Sequence, residues 1–232
     1  PYSTRARQDV VTSAPSREMR GGLWDVSESI SSISYREGGL CRVALGDCSS
    51  QVSIEMASIK TVENGLYVVA TPIGNLGDIV PRAVEILQSV DLIAAEDTRH
   101  SAPLLKHLDI ETPMISYHDH SDTRAQERIS RCIEAGGSVA LISDAGTPLV
   151  SDPGYRLVRH AHEEGWKVVP VPGACAAIAA LSVAGLPTDR FRFEGFLPAK
   201  AAARKTCLQS LAGESLTLVF YEAPHRVVES LA

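Results

Sequence analysis

From Leu66 onward the chain alternates between two kinds of apolar pattern. Runs of strand length are LYVVA (66–70), DLIAAE (91–96), SVALIS (138–143) and WKVVPV (166–171). Between them apolar residues recur at helical spacing: Val84 and Leu87 within 81–89, Ile129 and Ile133 within 123–134, and Leu157, Val158 and Ala161 within 153–164. Alternation at this spacing predicts an α/β fold, a mostly parallel sheet with helices on both faces. Such sheets take ligands at the carboxyl ends of their strands. The loops that carry chemistry fall there: TPIGNLGD, EDTRH, SDAGTPLVSDPG and PGAC each follow one of the runs.

After AGLPTDR (184–190) the pattern changes. FRFEGF alternates as a half-buried strand does, and LPAKAAARKTCLQSL reads as a loop and a helix carrying Lys200, Arg204 and Lys205. SLTLVFYE (215–222) predicts a buried strand, and PHRVVESLA opens another helix. The expected organisation is an N-terminal α/β domain over 64–172 and an incomplete C-terminal α/β domain over 173–232. Residues 1–55 show no sustained period and are rich in Ser, Arg and Gly. Residues 1–58 are therefore expected to be a disordered or non-native extension, with Met56 as a candidate natural start. Because the chain ends within a helical pattern, it is expected to be a fragment.

The 232 residues are 44% hydrophobic and 22% charged, as in soluble globular proteins. The longest apolar stretch, ACAAIAALSVA (174–184), is too short to cross a bilayer. No signal pattern opens the chain. Its five cysteines are odd in number and scattered, without a CxxC pair, which argues against a zinc knuckle and a disulfide framework. A cytoplasmic protein with no membrane partner is expected. The net charge of −6 confines any nucleic-acid contact to a local basic patch.

The 70–79 turn lacks both GxxxxGK[ST] and GxGxxG, because Gly74 and Gly77 are spaced G-x-x-G. It has no lysine and includes Asp78, so it suits a cationic or zwitterionic ligand better than a phosphate. EDTRH (96–100) gathers two carboxylates, a hydroxyl, a guanidinium and an imidazole. Capping of the next helix by Asp97 or Thr98 accounts for one of these five residues. HDH (118–120) has too few ligands for a stable metal site and reads as surface loop, so no metal is expected. In SDAGTPLVSDPGY (143–155), turn chemistry explains the glycines and prolines, with Asp152 as the expected helix cap and Pro153 at the first helical position. Ser143, Asp144 and Thr147 remain as small polar groups suited to a nucleoside or an amino-acid tail. PGACAAIAAL opens a helix with residues small enough for a ligand to lie on it, or for tight packing.

Six segments, LYVVATPIGNLGDI, DLIAAEDTRH, SDAGTPLVSDPG, VPGACAAIAALSVAGLPTDRF, EGFLPAK and FYEAPHR, closely resemble the small-subunit ribosomal RNA methyltransferase I family. That family is a branch of the tetrapyrrole-methylase superfamily, the class III S-adenosylmethionine-dependent methyltransferases. The likeness runs from about Leu66 to the end of the chain, and residues 1–55 have no counterpart in it. It implies two α/β domains with S-adenosylmethionine in the cleft between them, a homodimer, and methyl transfer to the ribose 2′-oxygen of a decoding-region cytidine in 16S rRNA. The 70–79 turn would then face a sulfonium zwitterion without phosphate. The superfamily's G-x-G-P-G appears as TPIGNLG, which carries over Pro72 and Gly74. Its G-D-P corresponds to Gly146-Thr147-Pro148, with Thr in place of Asp, and Asp144 is the nearby carboxylate. Its PGxxS corresponds to PGACAA, which puts Ala176 and Ala177 beside the cofactor, and Val150 and Tyr221 complete the implied set.

Methyl transfer from a sulfonium requires in-line positioning, and a ribose hydroxyl benefits from a base or a charge stabiliser. Glu96 or Asp97 is the candidate proton acceptor, and Arg99 or Lys200 the candidate partner of the alkoxide or a flanking phosphate. The sequence does not choose among them. Lys200, Arg204 and Lys205 form a basic run suited to an RNA backbone. Two other readings compete: a tetrapyrrole or other small-molecule methylase, expected to have an apolar cleft floor and no basic rim, and a truncated non-catalytic remnant.

Overall fold

The computed structural model describes residues 62–118 and 123–231 in full, and 30–34 and 42–45 by their backbone. The chain divides into two units, Pro1–Ala57 and Ser58–Ala232. In the first, β1 (Ile30–Ser34) pairs antiparallel with β2 (Arg42–Leu45). The rest of the expected extension lies outside the described residues.

The second unit is built on a parallel sheet of β3 (Gly65–Val69), β4 (Leu92–Ala95), β5 (Met114–Ser116), β6 (Ser138–Ile142) and β7 (Val168–Val171), in the order β5-β4-β6-β3-β7. Parallel neighbours need crossovers. These contain α1 (Pro81–Ser89), α2 (Thr98–His107), α3 (Thr123–Glu134) and α4 (Tyr155–Glu163). Alternate strand residues supply two cores. On one face Tyr67, Val69, Ile93 and Ile142 pack with Ile86 and Leu87 of α1 and Leu105 of α2. On the other Leu66, Leu92, Val139 and Leu141 pack with Ile129 and Ile133 of α3 and Leu157 of α4. Burial on both faces is why these strands read as continuous apolar runs. The alignment of β4 with β6 is pinned by Asp91, whose Oδ2 accepts from the Ser138 backbone at 2.7 Å and from its hydroxyl at 2.9 Å.

The strand order creates a topological switch point. From β3 the chain crosses by α1, past β6, to β4; from β6 it crosses by α4, past β3, to β7. Because α1 and α4 lie on opposite faces, the chain leaves neighbouring strands in opposite directions. The switch point is the carboxyl edge of β3 and β6.

Beyond β7 come α5 (Ala176–Val183), β8 (Phe191–Phe196), α6 (Ala201–Leu211), β9 (Thr217–Tyr221), a 3-10 turn at Pro224–Arg226, and α7 (Val227–Leu231). β8 and β9 pair in parallel, with a bulge at Gly195, whose φ is +68°. Three expectations need correction. β9 is half-buried along its whole length instead of buried, because it lies in a two-stranded sheet. Arg204 is not a surface cation: it is only 5% exposed, its guanidinium donates to the Pro198 and Ala199 carbonyls at 3.3 and 3.2 Å, and it pairs with Glu229 at 2.6 Å. Asp152 does not cap α4, which starts at Tyr155 after Gly154 at φ +124° and has no side-chain cap.

Candidate functional site

At the switch point two loops are tied together by backbone. Thr71 and Gly146 exchange hydrogen bonds of 2.8 and 3.1 Å, and the Thr71 hydroxyl donates to Ser143 O at 3.2 Å. Gly146 is buried at φ +89°, where a Cβ would stand 3.2 Å from Ile73, so glycine lets the two loops close. Pro72 is buried beside it, while Gly74, at φ +126°, is exposed with open space on its side-chain face. Asn75 turns the chain by accepting from Gly77 N at 3.0 Å. The PGAC loop joins from β7: the Thr147 hydroxyl donates to Ala174 O at 3.0 Å, and Gly173 packs so closely on Ala70 that a Cβ would stand 2.8 Å from that of Ala70. Val150 is half-buried within a turn in which Leu149 and Ser151 are both held at positive φ, +72° and +67°. Non-glycine residues in that region are strained, and such strain clusters at functional sites.

The helix start at Ala176 and Ala177 meets β9. Ala177 N–H, an unsatisfied donor of the first turn, is taken by Tyr221 Oη at 3.2 Å. Burial raises the Tyr221 phenol above its ordinary pKa, so it stays neutral. Phe193 and Phe196 hold the ring edge-on at 4.9 and 5.6 Å. Ala177 is buried and Ala176 exposed, so the candidates Ala177 and Tyr221 come together, with Ala176 at the surface beside them.

The EDTRH loop supplies the charge. Asp97 caps α2 by accepting from Arg99 N at 2.8 Å, and it also binds Arg99 Nε at 3.1 Å and a terminal guanidinium nitrogen at 2.7 Å. These bonds hold the Asp97 carboxyl far below the ordinary carboxylate range. Arg99 itself remains largely exposed. Glu96, half-buried, is pushed upward by burial first, then by Asp144 and Asp152; the Asp144 backbone N–H opposes the shift. Asp152 is raised by burial and by Asp144, against a Ser143 hydroxyl bond. Three carboxylates therefore share this edge. Asp144 links its loop to EDTRH through both oxygens: Oδ1 accepts from Asp97 N at 3.1 Å and Oδ2 meets His100 Nδ1 at 3.0 Å. Lys200 stands exposed at the N-cap of α6, on the loop fixed by Arg204.

Reading the sequence assigned His100 no role of its own and Asp152 only that of a helix cap. His100 had no local signal, because its partner Asp144 lies 44 positions away in sequence. Asp152 had none, because its neighbour Pro153 suggested a cap. Among the described residues no group of three or more His, Cys, Asp or Glu is arranged to hold a metal. Asp119 and His120 of HDH lie outside the described residues. Among the described residues no helix is long and apolar enough to cross a membrane.

Known proteins resemble this chain over more than half of its length. It is 62% identical over 167 residues to ribosomal RNA small subunit methyltransferase I of Pseudomonas aeruginosa, covering 72% of this chain and 59% of that protein. It is 55% identical over 179 residues to the protein of that name from Vibrio cholerae, covering 76% and 62%. The chain thus spans about three fifths of the length of these curated relatives. Among solved structures, uroporphyrin-III-C-methyltransferase from Thermus thermophilus overlaps 58% of this chain and 60% of its own, at 20% identity and a TM-score of 0.45. The model of the tetrapyrrole (corrin/porphyrin) methylases matches residues 65–232, which include every strand and loop of the site just described, and the chain belongs to that family.

Proposed function

We propose that the protein transfers a methyl group from S-adenosylmethionine to the ribose 2′-oxygen of a cytidine in 16S rRNA. The observation that carries the cofactor assignment is the charge of the switch point: Glu96, Asp144 and Asp152 share it, and Asp78 ends the adjoining turn. A dinucleotide or nucleotide phosphate would meet carboxylates there without a lysine. A sulfonium with an ammonium tail meets complementary charge. When bound, the cofactor supplies an already activated methyl group. Of the chain's residues, Gly74, Gly146, Thr147 and Val150 would line its loops, Pro72 would shape the turn, and Ala176, Ala177 and Tyr221 would form the opposing wall.

The substrate assignment rests on the relatives named as ribosomal RNA methyltransferases and on the exposed cations at Arg99 and Lys200. A tetrapyrrole would call for an apolar floor at the cleft. Asp97 engages two of the guanidinium's nitrogens, which leaves donors of Arg99 for a phosphate. Work on ribosomal RNA supports a cytoplasmic location. A homodimer fits the family resemblance and the exposed apolar side chains Ile178 and Val183 of α5.

Titration calorimetry with S-adenosylmethionine tests the cofactor assignment. Heat of binding that is unchanged by EDTA is expected; absence of heat overturns the assignment, and loss of binding in EDTA would bring a metal back. For the substrate side, Lys200→Ala is expected to leave cofactor affinity unchanged. It should also flatten the log–log salt dependence of rRNA binding by about one unit. An unaltered slope would remove Lys200 from the RNA path.

A further inference from the structure

We propose that His100 is the general base that takes the 2′-hydroxyl proton, with Asp144 as the residue that positions it. This rests on the methyl-transfer reading above. Of the acid–base groups in the site, Asp97 is committed to Arg99 and Glu96 is half-buried among carboxylates. His100 differs in both respects: its side chain is 73% exposed, within reach of a ribose on a large RNA, and its ring is anchored. A carboxylate oxygen only accepts, so the 3.0 Å contact to Asp144 Oδ2 places the ring hydrogen on Nδ1. In the neutral imidazole, Nε2 then carries the lone pair, on the side of the ring away from the anchor. The other Asp144 oxygen is held by Asp97 N–H at 3.1 Å, so the carboxylate cannot rotate without breaking the link between two loops. A base, an orienting carboxylate and a backbone donor fixing that carboxylate form the same chain of roles that activates hydroxyl nucleophiles elsewhere. Asp144 lies two residues from Gly146, so the anchored imidazole belongs to the switch-point edge where the methyl donor would lie.

The step balances without a further reactant. The hydroxyl proton passes to Nε2 as the oxygen lone pair forms the new O–C bond; the S–C bond breaks with its electron pair on sulfur, and His100 ends as imidazolium. Release of that proton to solvent, from an exposed ring, resets the site.

Two independent readouts test this. In methyl transfer to rRNA, His100→Ala is expected to lower kcat at least about 100-fold, within the usual range for a lost general base. KM and cofactor affinity should be little changed, and added imidazole should restore part of the rate. Asp144→Asn suits the same geometry, its carbonyl toward Asp97 N–H and its amide toward Nδ1, but it forces the hydrogen onto Nε2. It should therefore fold normally and lose kcat. The second readout needs no activity: ¹⁵N NMR of the imidazole should show the Nδ1–H tautomer in the unaltered protein and the Nε2–H tautomer in Asp144→Asn. An unaltered protein that binds cofactor and methylates rRNA, with undiminished kcat in His100→Ala, overturns the base assignment and leaves the methyltransferase reading intact. An Nε2–H tautomer in the unaltered protein overturns it as well, whatever the activity. No cofactor binding by the unaltered protein would instead sink the reading on which the proposal rests.

Discussion

Replacing Gly65 with alanine is expected to destabilise the Ser58–Ala232 unit by about 4 kcal/mol. Gly65 opens β3 at φ +147°, a conformation that L side chains rarely adopt. A Cβ built there would lie 2.5 Å from the Lys167 carbonyl oxygen, which accepts the Leu66 N–H at 2.8 Å and begins the pairing of β3 with β7. The clash is with backbone in a hydrogen-bonded sheet, so no rotamer change relieves it. A strained backbone costs roughly 1–3 kcal/mol and overpacking roughly 1–3 kcal/mol more. At about 2–4 °C per kcal/mol for a folded unit of this size, the melting temperature should fall by roughly 10 °C. Gly136→Ala separates the two causes. Its φ is +91°, yet nothing lies within 4 Å of the built Cβ, so only the strain remains. If calorimetric melting finds the two variants equally destabilised, the steric account of the β3–β7 junction fails.

Arg204→Ala is expected to cost roughly 3 kcal/mol, from lost packing of a buried side chain and from carbonyls left without their donor. The Pro198 and Ala199 carbonyls would lose their guanidinium donor, whereas the Glu229 side chain is 65% exposed and can return to water. Arg226 also donates to the Leu197 and Pro198 carbonyls, at 3.2 and 3.1 Å, so the loop should loosen without being released. The effect on function is indirect. Lys200 follows this loop at the start of α6, so transfer to rRNA should fall through disorder of Lys200, with no change in salt slope assignable to Arg204 itself. Lys205→Ala, at an exposed position, should stay within about 0.5 kcal/mol of the parent. Denaturant melts of the two variants decide the point, and equal stabilities would return Arg204 to the surface patch that its sequence neighbours suggest.

Arg204 also marks where the sequence stopped being legible. The parallel sheet could be read because a strand buried on both faces, such as Leu92–Ala95, has no polar position to interrupt it. β5 escaped notice because three residues at a sheet edge, Met114–Ser116, carry little apolar signal. The candidate loops could be picked out because glycines and prolines mark turns at strand ends in three of them, and EDTRH concentrates polar groups at the end of a fourth strand. What each loop residue does was not legible, since the bonds involved join distant positions: Asp144 reaches His100, Tyr221 reaches Ala177, and Arg204 reaches Glu229. A run of cations in sequence does not reveal that the fold turns one of them inward. Asp152 illustrates the converse, a residue explained by local turn grammar whose burial places it with Glu96 and Asp144.

The central claim is methyl transfer to a ribose oxygen of ribosomal RNA, and the most direct measurement follows the label. The protein is incubated with methyl-tritiated S-adenosylmethionine and small ribosomal subunits lacking the modification, and the 16S rRNA is then hydrolysed in alkali. A methylated 2′-oxygen cannot attack its neighbouring phosphate, so tritium is predicted in an alkali-resistant dinucleotide that yields 2′-O-methylcytidine. Tritium in alkali-labile nucleotides, carried on a base, or tritium that enters a tetrapyrrole and leaves the RNA unlabelled, would contradict the account.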